Sequence, residues 1–342
     1  MIFKKITLTL ILIIFSNNIF SFDEEKVIVY NWDDYIPEGI LEDFTKETGI
    51  TVEYSTYSSS IVMYSKLQIL RGRGYDVIIP STDFVDKMAQ EGLLQPINKS
   101  LISNFYQLDE SLLDKHYDPK NKYSIPYLWG STGIAVNGNS IDAKKIKYWK
   151  DLWDSKWKNQ LLVIDDMRGI FHMALKINGH STNSVNTEEI EQAYNLLKGI
   201  MGNIKTFSAD MLSEDFVNIG ALWNGDAAQA KLKNPAIQYI YPKEGALFWI
   251  DSFVIPAQAL NVSNAHKFID FMIRADIAAR CVNELQYATP NRIAKNLLSQ
   301  KIQKNSIIFP PAKLLKNSEF QRDVGDKLEL YNLYWNDLRS NY

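Results

Sequence analysis

The chain has a single cysteine, Cys281, in 342 residues. That excludes an internal disulfide and a cysteine-based zinc cluster, and leaves Cys281 as a small buried helix residue. Histidine is nearly as scarce. His116, His172, His180 and His266 show no metal-ligating spacing and read as structural or surface residues, so neither a metal nor a cofactor is expected. A basic surplus is missing too: the net charge is -3 and no block of five like charges occurs, which argues against a nucleic-acid partner. No linker rich in proline, glycine or serine divides the chain, and no apolar run reaches the roughly 20 residues that a membrane span needs. Gly72 and Gly74 form only a fragment of a phosphate-loop pattern.

What is present is a hydrophobic content of 46% against 23% charged residues, in a chain long enough for two well-cored domains. Lys4 and Lys5 precede ten uncharged, mostly apolar residues, 6–15, followed by Ser16, Asn17, Asn18 and then Ile19-Phe20-Ser21. This is the shape of an export signal, so residues 1–21 are expected to be a signal peptide, cleaved after Ser21. Its removal leaves 35 basic against 40 acidic residues. No cysteine follows the apolar run to carry a lipid.

From residue 26 strand-like and helix-like pieces alternate. Strands are expected at 27–30, 51–57 and 75–79, and helices at 37–48, 62–70 and 83–90. That is the rhythm of a parallel sheet covered by helices. Two further strands, 124–128 and 133–137, flank Trp129-Gly130-Ser131, before a Lys- and Trp-rich helical stretch over 144–158. Within it Trp149, Trp153 and Trp157 recur at helical spacing, which marks packing residues. The alternation restarts with a strand at 161–164, helices at 168–176 and 188–201, and strands at 221–223 and 238–241, giving a second α/β lobe. Helices at 265–273, 277–285 and 323–338 have no third sheet to cover, so the chain must cross between lobes more than once.

In open α/β sheets ligands sit beyond the carboxyl ends of the strands. Those ends read Asn31-Trp32-Asp33-Asp34-Tyr35, Pro80-Ser81-Thr82-Asp83, Asp165-Asp166 and Trp223-Asn224-Gly225. A further strand places Leu247, Trp249 and Asp251 on one face and Phe248, Ile250 and Ser252 on the other. Aromatics and carboxylates recur there, whereas Arg and Lys are nearly absent. Ring faces cover methylenes and attract cations, and carboxylates accept N–H bonds, so the set suits an elongated ligand with ammonium ends. Each residue also has a plainer reading: Trp249 and Trp223 as core, Asn224-Gly225 as a turn, and Asp165 or Asp166 as a helix cap.

Several longer motifs carry a more specific signal. They are YNWDDYIP at 30–37, FTKETGI at 44–50, YSTY at 54–57, VDKM at 85–88, YSIPY at 123–127, WNG at 223–225 and PKEG at 242–245. Together they resemble the periplasmic spermidine/putrescine-binding proteins. The resemblance implies a two-lobed receptor, lobe 1 being 22–130 plus 252–295 and lobe 2 being 131–251 plus 296–342, with the ligand between them. It implies a monomeric, non-catalytic periplasmic protein that captures putrescine or spermidine and delivers it to an ABC permease with its ATPase. Position by position it implies ligand-facing aromatics at Trp32, Tyr35, Trp223, Trp249 and Tyr287, and carboxylates at Asp34, Asp166 and Asp251. Polar contacts fall on Ser81, Thr82, Ser208 and Gln321.

Two departures stand out. Asp83 occupies a position that is commonly aromatic in the family, and Gly169 one that commonly carries glutamate. One carboxylate is lost and another gained, so Asp83 either replaces the missing charge and favours a diamine, or caps the helix over 83–90. Two other functions are compatible with the residues: a receptor of the same architecture for another solute, such as a sugar, thiamine or iron, and an exported hydrolase using Asp166 and Asp251.

Overall fold

The computed structural model describes residues 25–208, 217–315 and 317–341. The expected signal peptide lies outside them. Among the described residues no helix is long and apolar enough to cross a membrane. Ten strands join in one hydrogen-bonded sheet: β1 (Lys26–Trp32), β2 (Thr51–Tyr57), β3 (Val77–Ile78), β4 (Ser124–Asn137), β5 (Leu161–Val163), β6 (Ile204–Phe207), β7 (Ile219–Trp223), β8 (Ile237–Ile240), β9 (Leu247–Val254) and β10 (Glu319–Phe320). Their order is β2-β1-β3-β9-β4-β7-β5-β6, with β10 on β9 and β8 on β4.

The two flanks are built as the alternation predicts, β1 running parallel to β2 and β3, and β5 parallel to β6 and β7. The middle is antiparallel: β9 against β3 and β4, and β4 against β7 and β8. Strands β4 and β9 are thus the joint between the flanks. The sheet as a whole is mixed because these two carry the chain from one flank to the other and back.

The two strands expected on either side of Gly130 are one. β4 continues through Trp129, Gly130 and Ser131, paired with Ile250, Trp249 and Phe248 of β9. Glycine here is not a break. A Cβ at Gly130 would stand 2.5 Å from the Trp249 ring, so its absence lets the indole lie across the strand. The ladder slips only between Pro126 and Leu128. Proline has no N–H to give the ladder, and Tyr127, at the slip, donates its hydroxyl to the Tyr35 carbonyl at 2.8 Å.

The Lys- and Trp-rich stretch is not one helix but three short 3₁₀ turns, Ala143–Lys145, Trp149–Trp153 and Ser155–Trp157. Asp142 and Asp154 each accept a backbone N–H at the start of a turn, and such caps restart the chain instead of letting an α-helix continue. The three tryptophans are structural, as their spacing suggests. Their indole N–H groups donate to the carbonyls of Gly245, Leu196 and Asp151.

One buried cluster joins Val27, Phe44, Ile79 and Phe253 to Phe268 and Cys281, the last a buried helix residue as expected. Another runs from Tyr30 and Met88 on the first flank to Trp149, Phe171 and Tyr331 on the second. The final helix, Lys327–Asn341, buries Leu328, Tyr331, Trp335 and Leu338 against the helices Met167–Ile177 and Thr187–Met201. Trp149 is fully buried with its N–H satisfied. Trp149→Ala is expected to lower stability by about 3–5 kcal/mol, read as a drop in the urea midpoint at unchanged slope.

Candidate functional site

A chamber of about 620 Å³ opens where the strands of both flanks end. β1 delivers Trp32 and the turn Asp33-Asp34-Tyr35; the segment after β3 delivers Ser81 and Asp83; the segment after β5 delivers Asp165 and Asp166; and β7 ends in Trp223. β9 crosses the floor with Trp249 and Asp251, two residues apart and so on the same face. Phe248 lies against Trp129 and Phe320, with centroids 6.2 and 5.9 Å away.

The walls are aromatic. Trp32 and Trp223 meet edge-on with centroids 6.5 Å apart, and Tyr287 lies edge-on to both Trp249 (5.4 Å) and Tyr35 (5.7 Å). The indole N–H groups of Trp32 and Trp249 are buried without a hydrogen-bond partner among the described residues. Asp251 is buried in the middle of a wholly buried strand. Its carboxylate accepts from the Tyr35 hydroxyl at 2.8 Å and from the Ser81 hydroxyl. Ser81 also forms a backbone bridge to Asp251.

Asp166 combines both roles weighed for it. It caps the helix Met167–Ile177, accepting the N–H of Arg168 at 3.0 Å, and it lines the chamber. Asp165 sits at the rim, paired with Arg339 at 2.7 Å. Asp83 likewise lies in the first turn of its helix, Thr82–Gln90, and lines the chamber. Burial pushes both Asp83 and Asp251 up to about 7; Arg168 opposes the shift of Asp83, and the Ser81 and Tyr35 hydroxyls oppose that of Asp251. Burial also raises Asp166, against the pull of the backbone N–H groups of Gly169 and Arg168.

Of the thirteen residues singled out from the sequence, eleven line this chamber: Trp32, Asp34, Tyr35, Ser81, Asp83, Asp166, Trp223, Trp249, Asp251, Tyr287 and Gln321. Asp34 does so from an exposed position at a left-handed turn, φ 51°. Thr82 is fully buried behind the lining, and Ser208, after β6, is not part of it.

Four features escaped the sequence reading. Arg168 brings a cation into the chamber wall, Asp226 accepts from the Tyr287 hydroxyl at 3.1 Å, Tyr57 packs on Trp32 at 4.7 Å, and the last helix presents Leu328, Asn332, Trp335 and Asn336. The last four follow helical spacing and were legible as one face. Arg168 carried a subtler signal, since a cation in the first turn of a helix opposes the helix dipole and calls for a dedicated anion.

The model of the bacterial extracellular solute-binding proteins matches residues 39–310. The chain belongs to that family. This solute-binding protein is 44% identical to the spermidine/putrescine-binding periplasmic protein of Escherichia coli, over 93% of its own chain and 92% of the relative's. It is 32% identical to the putrescine-binding periplasmic protein PotF of the same organism, covering 84% of each. Among solved structures, the spermidine/putrescine ABC transporter substrate-binding protein PotD of Streptococcus pneumoniae superposes with a TM-score of 0.77 at 33% identity, over 92% of this chain and 99% of that one. The resemblance read from the motifs and the two-lobed α/β fold are thereby borne out.

The raised carboxyls have a consequence for stability. Asp83 and Asp251 hold a proton more tightly folded than unfolded, so their contribution is greatest below the ordinary carboxylate range and is lost as pH climbs through about 7. The unliganded solute-binding protein is expected to melt at progressively lower temperature between about pH 5 and about pH 8, and Asp251→Asn to flatten that slope in scanning calorimetry.

Proposed function

We propose that the chain is the extracytoplasmic receptor of an ABC importer, which captures a polyamine, putrescine or spermidine, between its two lobes. The observation that carries this reading is the chamber itself, where indole and phenol rings surround carboxylates drawn from both flanks of the sheet. A desolvated ammonium over an aromatic face gains about 2 kcal/mol, and a charged hydrogen bond about 1.5–3 kcal/mol. Two ends and a methylene chain laid between rings reach micromolar affinity, about -8 kcal/mol. The relatives' names support both the ligand class and a periplasmic location.

Binding, not turnover, is the role that fits. Asp166 and Asp251, the pair a hydrolase would use, are each tied down by hydrogen bonds, one at its helix N-terminus and one to Tyr35 and Ser81, within aromatic walls that suit a cation. The lobes are taken as 22–130 plus 252–295 and 131–251 plus 296–342, with β4 and β9 as the joint. The exported, monomeric chain would release its ligand to a membrane permease driven by an ATPase. Thr82 stands behind the lining and Ser208 is not part of it.

Calorimetric titration of the purified chain with putrescine and with spermidine tests the reading. Trp249→Leu and Asp251→Asn are each expected to weaken binding tenfold or more, about 1.4 kcal/mol. A chain that neither amine binds or thermally stabilises would refute it.

A further inference from the structure

Asp83 does not simply add a carboxylate for the ligand. It faces Arg168 with Oδ2 3.8 Å from Nη1, and the two side chains are only 6% and 4% exposed. The partners come from opposite flanks: Asp83 from the helix after β3, Arg168 from the helix after β5. Arg168 is fixed from behind, where Nη1 donates to the Arg322 carbonyl (3.2 Å) and Nη2 to the Thr182 carbonyl and to Asn183 (both 3.3 Å). Its plane lies over Tyr331, 5.3 Å from the ring centroid. Its Nε is buried without a partner among the described residues. A cation so placed, in the first turn of a helix and out of water, is stable only with a nearby anion.

Gly169 belongs to the same arrangement. A Cβ there would stand 2.8 Å from Asp166 Oδ2, so glycine lets that carboxylate fold over its own helix N-terminus. Asp166 accepts the backbone N–H of Arg168 while Asp83 faces its guanidinium, and both carboxylates feel its charge.

We propose that Arg168 is a tethered internal cation that claims Asp83, and that this ion pair, spanning the chamber, limits how many ammonium groups a ligand can place there. The inference rests on the polyamine reading above. Asp251 stays available to a ligand cation, because its partners, Tyr35 and Ser81, are neutral hydroxyls. Asp83 does not, because a guanidinium already neutralises it. Removing the guanidinium frees Asp83 for a further ammonium and favours a triamine over a diamine. Removing Asp83 instead leaves an uncompensated cation facing every cationic ligand.

A double-mutant cycle on the full chain decides it. Putrescine and spermidine are titrated into the wild type, Asp83→Asn, Arg168→Met and the double variant, with folding checked by melting. Asp83→Asn is expected to weaken both ligands about tenfold or more, the double variant to recover most of that loss, and Arg168→Met to shift the affinity ratio towards spermidine by about tenfold. A double variant no tighter than Asp83→Asn would overturn the proposal, since Asp83 would then hold the ligand directly, and so would an unchanged ratio in Arg168→Met. If Arg168→Met does not fold, Arg168→Gln, which keeps donors for the Thr182 and Arg322 carbonyls, takes its place in both variants. 4-Aminobutanoate is titrated alongside; its binding, lost on neutralising Arg168, would overturn the proposal by assigning the guanidinium to a ligand carboxylate. If the wild type binds neither amine, the polyamine reading itself fails; if it binds both and the cycle shows no coupling, only this inference does.

Discussion

Burying Asp251 in the middle of β9 removes its charge from water, at a cost of several kcal/mol that burial alone does not repay. Much of the surrounding structure answers that cost. Tyr35 must reach the carboxylate from the turn after β1, and Ser81 from the end of the segment after β3. Tyr35 is itself positioned by Tyr127, which projects where the β4–β9 ladder slips. The two hydroxyls shift Asp251 back towards the charged form without cancelling its charge, and the rings around it keep water out. A cation entering the chamber supplies what the fold withholds.

The same economy explains the joint between the flanks. β4 and β9 are wholly or almost wholly buried and pair over most of the length of β9, so the floor of the chamber is the stiffest part of the sheet. The walls are attached to it through chain ends and turns. Lobes carried on such a floor can approach or separate while Trp249 and Asp251 stay fixed with respect to Gly130 and its neighbours. The Asp83–Arg168 pair, like the Trp32–Trp223 contact, joins the walls and not the floor.

Much of this was readable from residues alone. The βαβ alternation marks both flanks, the rule that ligands gather beyond strand ends picks out Trp32, Asp83, Asp166 and Trp223, and two-residue alternation puts Trp249 and Asp251 on one face. What stayed hidden has physical causes. Gly130 looked like a boundary because sequence does not distinguish a glycine that breaks a strand from one that admits a neighbouring ring. The 144–158 stretch looked helical because its tryptophans have helical spacing, while the capping aspartates that restart it act locally and leave no period. Arg168 was passed over because strand-end reasoning stops at the first residues of a segment, whereas a helix brings its first turn back into the cleft. Tyr287 follows a helix, and Gln321 follows β10, a strand of two residues that leaves no alternation to read, so only resemblance found them.

The chamber's lining extends along the chain from Trp32 to Asn336, the last part of it on the helix Lys327–Asn341. Nearly half of the lining comes from residues 32–84 and the rest from segments far along the chain, and closing loops of this length precedes any reward from the contacts they make. Affinity therefore belongs to the whole folded chain: a fragment that stops short of the helix Lys327–Asn341 lacks one wall of the chamber, whatever the rest of it has formed.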